Sequence, residues 1–404
     1  MSGSTVSCLF PRGRWWLVGS AMIGFGAFAA GLAFRPVQAW MAFLVANFFF
    51  LTLALGALVF LAAMTAANAG WHLPLKRVPE SMAAYLPLGA AGSLALLGGI
   101  PWLYHWANSE AVSHDTLLQA KAPYLNTGFF TARTVGVLLV WVALGMLMRR
   151  SFSHHDKAPG PRHSKRSVAL SAVFLMVFPF SFSMAAIDWL MSLDPHWFST
   201  IFGLYNIAGM FSAAVAAISV IVILLRRKEV FPYVDAGHLH DLGKLLFGFS
   251  TLWAYLWFSQ YLLVWYSNLP EENTHYAVRM TGGITVLFFL NFLLSWVLPF
   301  ALLLGRNGKR SEKTLLAASV LVLAGRWLDL HLLVAPAVSE TYQGATLLDF
   351  ALFLGFSGAF LFIIDRALEK TPLLSPKDAH IVKRPHGQAV RSNPVAAKES
   401  IYGS

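Results

Sequence analysis

The chain runs to 404 residues, 57% of them apolar and 12% charged, with a formal net charge of +11, where soluble domains carry about a quarter charged residues. Its Lys and Arg residues sit in short loops and a tail rather than in a basic, aromatic-rich module, which argues against nucleic acid as a partner. A single cysteine, Cys8, excludes an internal disulfide, a cysteine-ligated iron–sulfur cluster and a c-type haem attached through C-x-x-C-H.

Lipid offers a bare backbone no hydrogen bonds, so spanning segments are helices or closed barrels, and apolar runs of about 20 residues favour helices. The sequence therefore predicts an all-α integral membrane protein with about ten transmembrane helices. In chain order the spans are residues 15–34, 40–63, 82–104, 128–148, 168–192, 201–225, 242–266, 281–304, 315–335 and 345–364. Arg12 and Arg14 precede the first run, which exceeds the roughly 7–15 apolar residues of a signal peptide and so reads as an uncleaved span. Spans two to five (residues 40–192) and six to nine (201–335) can pack as two four-helix bundles flanked by spans one and ten, giving a membrane domain over residues 1–370. The loop 105–127 and the Pro-, Lys- and Ser-rich segment 371–404 read as non-membrane, the latter as a basic cytoplasmic tail that is disordered or held by a partner.

Charge sets the expected orientation. The N-terminus, alternate loops and the tail together hold roughly 24 Lys and Arg. The opposite loops hold Arg35, Lys121 and Arg279, alongside Glu110, Asp115, Glu271, Glu272 and Glu340. Both termini are thereby expected on the cytoplasmic side.

Charged side chains at bilayer depth cost about 2.5–3.5 kcal/mol each on insertion scales, so they mark functional sites unless paired or close to water. His72, Glu80, Asp241 and Lys244 lie at the mouths of spans two, three and seven, and Tyr255 and Gln260 continue a polar trail along span seven. These six form a candidate cytoplasmic-side proton path, although ordinary interface residues and helix-packing hydroxyls produce the same pattern. Arg133 lies about one turn into span four, and Asp188 about one turn from the end of span five. Pro179, also in span five, leaves the Leu175 carbonyl without its helical donor. Asp194, before Pro195, reads as a cap for the next span.

Span nine carries Arg326, Asp329 and His331 in its outer half, and Asp349 lies near the start of span ten. Because the spans alternate direction, Arg133, Asp188, Arg326, Asp329, His331 and Asp349 reach similar depths near the outer face, forming a candidate proton- or quinone-site cluster. Arg326 and Asp329 are three apart and share a helix face, whereas His331 points well away from it. Two readings of these charges stand: internal ion pairs that lock helices together, or a proton or ligand site. Of the 13 histidines only His331 lies well inside a span, which argues against an embedded bis-His b-type haem, and no residue set suggests a metal centre.

Three segments are informative together. They are Asp188-Trp189-Leu190-Met191-Ser192-Leu193-Asp194-Pro195-His196-Trp197-Phe198-Ser199, the seventh-span run from Trp253 to Asn268-Leu269-Pro270-Glu271-Glu272, and Arg326-Trp327-Leu328-Asp329-Leu330-His331. With these segments the chain resembles the NrfD-like family of membrane subunits, related to that of polysulfide reductase, and most of all the ActF-type subunits of alternative complex III, a quinol:electron-acceptor oxidoreductase. The resemblance implies two four-helix bundles flanked by spans one and ten, in a bacterial inner-membrane complex with a sister NrfD-like subunit, iron–sulfur subunits and multi-haem c subunits. It attributes quinol oxidation chiefly to the sister subunit. This chain is then expected to bind no redox cofactor of its own, with quinone a possible ligand, and to support quinol oxidation and proton translocation. A stand-alone secondary transporter and a purely structural anchor for redox subunits are the alternative readings.

Overall fold

A computed structural model describes residues 14–157, 161–231, 233–339 and 344–370. The expected tail, residues 371–404, lies outside them, as does Cys8. Among the described residues the regular structure is helical throughout. Ten helices account for the ten expected spans: α1 (Arg14–Phe34), α2 (Pro36–Ala66), α3 (Arg77–Leu103), α4 (Thr127–Lys157), α5 (Pro161–Trp189), α6 (Phe202–Arg227), α7 (Ala236–Ser267), α8 (Ile284–Leu303), α9 (Glu312–Val338) and α10 (Leu347–Glu369). Nine of them are long and apolar enough to cross a membrane. The tenth, α7, has 32 residues, more than the ~20 a span needs; its Trp, Tyr, Ser and Gln residues lower its mean hydropathy.

Two helices are irregular for reasons written in the sequence. α3 passes through 3₁₀ turns at Ala83–Tyr85 and Leu96–Gly99. Each lies just ahead of a proline, Pro87 or Pro101, which cannot donate to the carbonyl four residues back, so the chain tightens instead. α8 contains a π turn at Leu293–Val297, immediately before Pro299.

The elements divide by burial. α2 is apolar all round and 94% of its central window is buried, and α6 reaches 83%. A helix of that kind belongs in the middle of a protein rather than at its rim. α2 packs on α3, α5 and α10 and also meets α6, while α6 packs on α7 and α9. At the α2–α6 crossing a Cβ on Gly56 would lie 2.5 Å from the Ala214 methyl, so the two helices approach as closely as their backbones permit. The loops on one end carry Glu110, Asp115, Asp194 and Glu272, those on the other carry Arg226, Arg227, Arg306 and Arg310. These are the acidic and basic ends.

α1 is peripheral, with only 17% of its window buried, and it leans on α10. Gly24 makes that seat possible: a Cβ there would fall 2.5 Å from Gly355 Cα and 2.7 Å from the Ala351 carbonyl oxygen. At the basic end Arg14 clamps the same pair, reaching Asp365 at 3.2 Å and also Glu369. Replacing Gly24 with Leu should force α1 off α10 and destabilise the fold by about 1–3 kcal/mol, the usual penalty of overpacking. Thermal unfolding in detergent checks this, and an unchanged midpoint would show that the glycine contact holds nothing together.

Candidate functional site

The six charged residues expected to converge near one face are all buried, but they resolve into three separate units. The first joins α4 to α5. Arg133 donates to both carboxylate oxygens of Asp188, at 2.7 and 3.1 Å, and to the Tyr124 carbonyl at 3.0 Å. Its guanidinium also lies 3.8 Å from the Tyr124 ring centre and 4.3 Å from that of Phe129. The backbone around Asp188 is tied down as well, by Tyr104 donating to the Trp189 carbonyl at 3.0 Å and by the Trp189 indole donating to Thr134 at 3.0 Å. Both oxygens of Asp188 are therefore spent on Arg133, the geometry of a helix lock.

The second unit joins α9 to α10. His331 Nε2 lies 3.1 Å from Asp349 Oδ1, while its Nδ1 faces the Trp327 carbonyl. The other Asp349 oxygen accepts from the backbone and hydroxyl of Thr346, at 2.6 and 2.7 Å, which closes a capping box at the start of α10. Asp349 is thus an N-terminal cap that also holds His331. His331 lies five residues from Arg326, about 140° around the helix, which is why it serves a different neighbour.

The third unit is the interior of the second set of helices. Arg326 donates to Asp329 Oδ2 at 2.5 Å and to Asn206 Oδ1 of α6 at 2.9 Å. Asp329 Oδ1 accepts from the Tyr205 hydroxyl of α6 and from Asn291 of α8 at 3.1 Å, and Asn291 in turn accepts from Ser295 at 3.0 Å. Two glycines make space for these groups: a Cβ on Gly209 would sit 2.7 Å from Arg326 Nη1, and one on Gly325 would collide with the Ser295 hydroxyl.

Asp329 differs from Asp188 and Asp349 in facing a cavity. Water-sized room of about 30 Å³ lies between Tyr205, Trp257, Gln260, His275, Asn291 and Asp329, enough for about two waters. Its rim toward the acidic end is the short helix Pro270–Arg279. Arg279, buried there, donates to the Leu332 carbonyl at 2.8 Å and the Leu333 carbonyl at 3.3 Å. Leu332 lacks its helical donor because Pro336 stands four residues further along α9; the guanidinium replaces the missing N–H. Burial pushes the Arg279 pKa down to about 10, which leaves it charged at neutral pH.

His275, one turn before Arg279, stacks on Trp197 with ring centres 3.8 Å apart and planes 9° from parallel. Its Nδ1 meets Asp194 Oδ2 at 3.1 Å, and because a carboxylate only accepts, Nδ1 carries the proton. Burial, with the positive charge of Arg279, pushes the His275 pKa down to about 3, so the ring is neutral. Burial alone would raise the Asp194 carboxyl, but the hydrogen bond and charge of its histidine partner together with Arg279 outweigh it and hold it below the usual value. Asp194 was expected only to cap the next helix. His275, Tyr205, Asn206 and Asn291 carried no signal beyond their polarity, although the Pro336 interruption called for a donor such as Arg279.

The expected path from the opposite end is corrected in two places. Gln260 lines the cavity beside Asp329 and accepts from Ser199 at 3.4 Å, so it belongs to the acidic end. Tyr255 is 65% exposed on the outside of α7; five residues separate it from Gln260, which places the two about 140° apart on the helix. Of the remaining four, His72 is buried against Phe60, Glu80 pairs with Arg77 at 2.6 Å, and Asp241 pairs with Lys244 at 2.5 Å. Compared with known proteins, the chain matches no family model and no curated sequence.

Two stability measurements follow from these contacts. Substituting Arg133→Leu leaves the Asp188 charge buried without its partner and should cost about 3–5 kcal/mol, whereas the double variant Arg133→Leu/Asp188→Leu should recover most of it. Equal loss in the single and double variants would contradict an ion-pair lock. For His275 the folded pKa lies below the unfolded one, so the unfolded chain binds the extra proton and stability falls as pH drops from 6.5 toward 3. The slope from this group is about 1.4 kcal/mol per pH unit. Unfolding midpoints across that range should decline less steeply in His275→Gln, and parallel curves would show that His275 is not buried neutral.

Proposed function

We propose that this chain is the membrane subunit of a respiratory quinol:electron-acceptor oxidoreductase of the alternative complex III type, in a bacterial inner membrane with both termini cytoplasmic. In this reading its second bundle handles the protons that quinol oxidation releases at the outer face, which is the acidic end. The observation that carries it is Asp329: a buried carboxylate, paired with Arg326, that lines a cavity sized for water. Tyr205 and Asn291 donate to the other oxygen, and small movements of these donors free a lone pair for a proton arriving from the cavity.

At Asp329, size favours proton handling over quinone binding. Room for about two waters does not admit a quinone ring, since ligand pockets run to about 300–1,000 Å³. Quinol oxidation is then the work of the sister subunit, with iron–sulfur clusters and c haems in the extrinsic partners, in keeping with the resemblance. Each proton moved against 100 mV carries about 2.3 kcal/mol, so even one relay group affects the energy balance of the complex.

The reading is tested in the native assembly reconstituted into vesicles, with quinol oxidation and external proton release followed together. Asp329→Asn should lower proton-coupled turnover by at least about tenfold. Asp188→Asn, which removes only a helix lock, should weaken the fold and leave the ratio of protons to electrons unchanged. Native turnover and native proton release in Asp329→Asn would remove the second bundle from the mechanism, and isolation of the chain as a haem-free homo-oligomer would favour a transporter.

A further inference from the structure

A second, larger cavity opens at the acidic end, between the start of the 105–127 loop, the α5–α6 loop and the end of α9. It holds about 450 Å³ and is lined by Trp102, Tyr104, His105, Asn108, Asp194 and His196 among others. Asp194 therefore belongs to this surface cavity, while its hydrogen-bond partner His275 lines the interior cavity that Asp329 faces. The wall between the two spaces contains one imidazole and one carboxylate in direct contact. Trp197 lies flat against the imidazole. The Nδ1 of His275 is engaged with Asp194, which leaves Nε2 on the side of the ring away from that carboxylate.

We propose that the His275–Asp194 pair is the exit element of the proton relay, passing protons from the interior cavity to the surface cavity. A proton from water in the interior cavity binds Nε2 as the Nδ1 proton moves to Asp194 Oδ2. The ring stays neutral overall and ends in its other tautomer. The Asp194 carboxylic acid then loses its proton to water in the surface cavity. A swing of the His275 side chain next presents the Nε2 proton to Asp194 and the bare Nδ1 to the interior cavity, so the following proton enters at Nδ1 as the Nε2 proton leaves, and the return swing restores the first tautomer. This inference rests on the proton-handling role of Asp329.

The surroundings of the pair suit one direction of travel. Arg279 and Tyr276 face it from the short helix, and Asp329 lines the same interior cavity. On the surface side stand His196, paired with Asp115 at 2.7 Å, and Lys121, which donates to the Pro195 carbonyl at 2.5 Å. Arg279 disfavours a lasting positive charge on His275 and so keeps it a conduit rather than a trap. Asp194 meets open water and releases what it receives.

The reconstituted native complex provides the test, with assembly checked by the haem absorbance of its partners and external proton release as the readout. Asp194→Asn and His275→Gln should each slow release at least about tenfold, and Asp194→Glu should restore it. Sodium formate added outside should rescue Asp194→Asn, because the surface cavity admits a small weak acid, and should leave Asp329→Asn unrescued, because the interior cavity holds only about two waters. Native release in Asp194→Asn together with impaired release in Asp329→Asn would overturn the exit role and leave the relay standing. Native release in Asp329→Asn would remove the relay, and the exit element with it. Impairment of Asp194→Asn that neither Glu nor formate relieves would reduce Asp194 to a structural group.

Discussion

Arg326 and Asp329 bring a full positive and a full negative charge into the middle of a helical bundle, and much of the second half of the molecule is arranged around that fact. Removing two ions from water costs several kcal/mol each, and their mutual attraction offsets this only with close contact and satisfied hydrogen bonds. The contact is supplied by their spacing of three residues on one helix, at 2.5 Å. Asn206 bonds Arg326 Nη2, and Tyr205 and Asn291 bond Asp329 Oδ1, from two other helices, while among the described residues the Arg326 Nε–H is buried without a hydrogen-bond partner. Glycines at 209 and 325 give those groups the volume they require. Substituting any of these small or polar residues for packing alone would leave a charge without its solvation, so they form one constraint rather than several preferences.

The same chemistry is used differently elsewhere. Asp188 places both oxygens on Arg133, Asp349 divides its own between His331 and the cap of α10, and Asp365 lies against Arg14. Each of these fastens one helix to another, and none lines the interior cavity. Only Asp329 among them opens onto space for water. Buried ion pairs in lipid serve either to specify packing or to carry charge, and the presence or absence of an adjoining cavity separates the two uses here.

The helical architecture was legible because a bilayer allows few alternatives: apolar runs and their length located the spans to within several residues. α7 was found from its length and flanking charges even though its Trp, Tyr, Ser and Gln residues depress its hydropathy. The Arg326–Asp329 pair could be read from sequence, since a spacing of three on a helix determines proximity. The pairing of Arg133 with Asp188 could not, because contact between two helices depends on how each is rotated. That missing rotation is also why one outer cluster was expected where three units stand, and why Gln260 was joined to Tyr255 in one trail although the two lie on different faces of α7. His275 was passed over, and Asp194 was read only as a cap, because the segments bearing them read as loops, and nothing in a linear sequence shows that a tryptophan and a histidine 78 positions apart will stack.

The account depends on water reaching Asp329. A cryo-electron microscopy map of the native complex at a resolution that shows ordered solvent addresses this directly. Density for about two waters between Asp329, Gln260 and His275 is the predicted result. A dry cavity, or one closed by side chains or filled by a lipid tail, would contradict it and leave Asp329 as another fastening between helices.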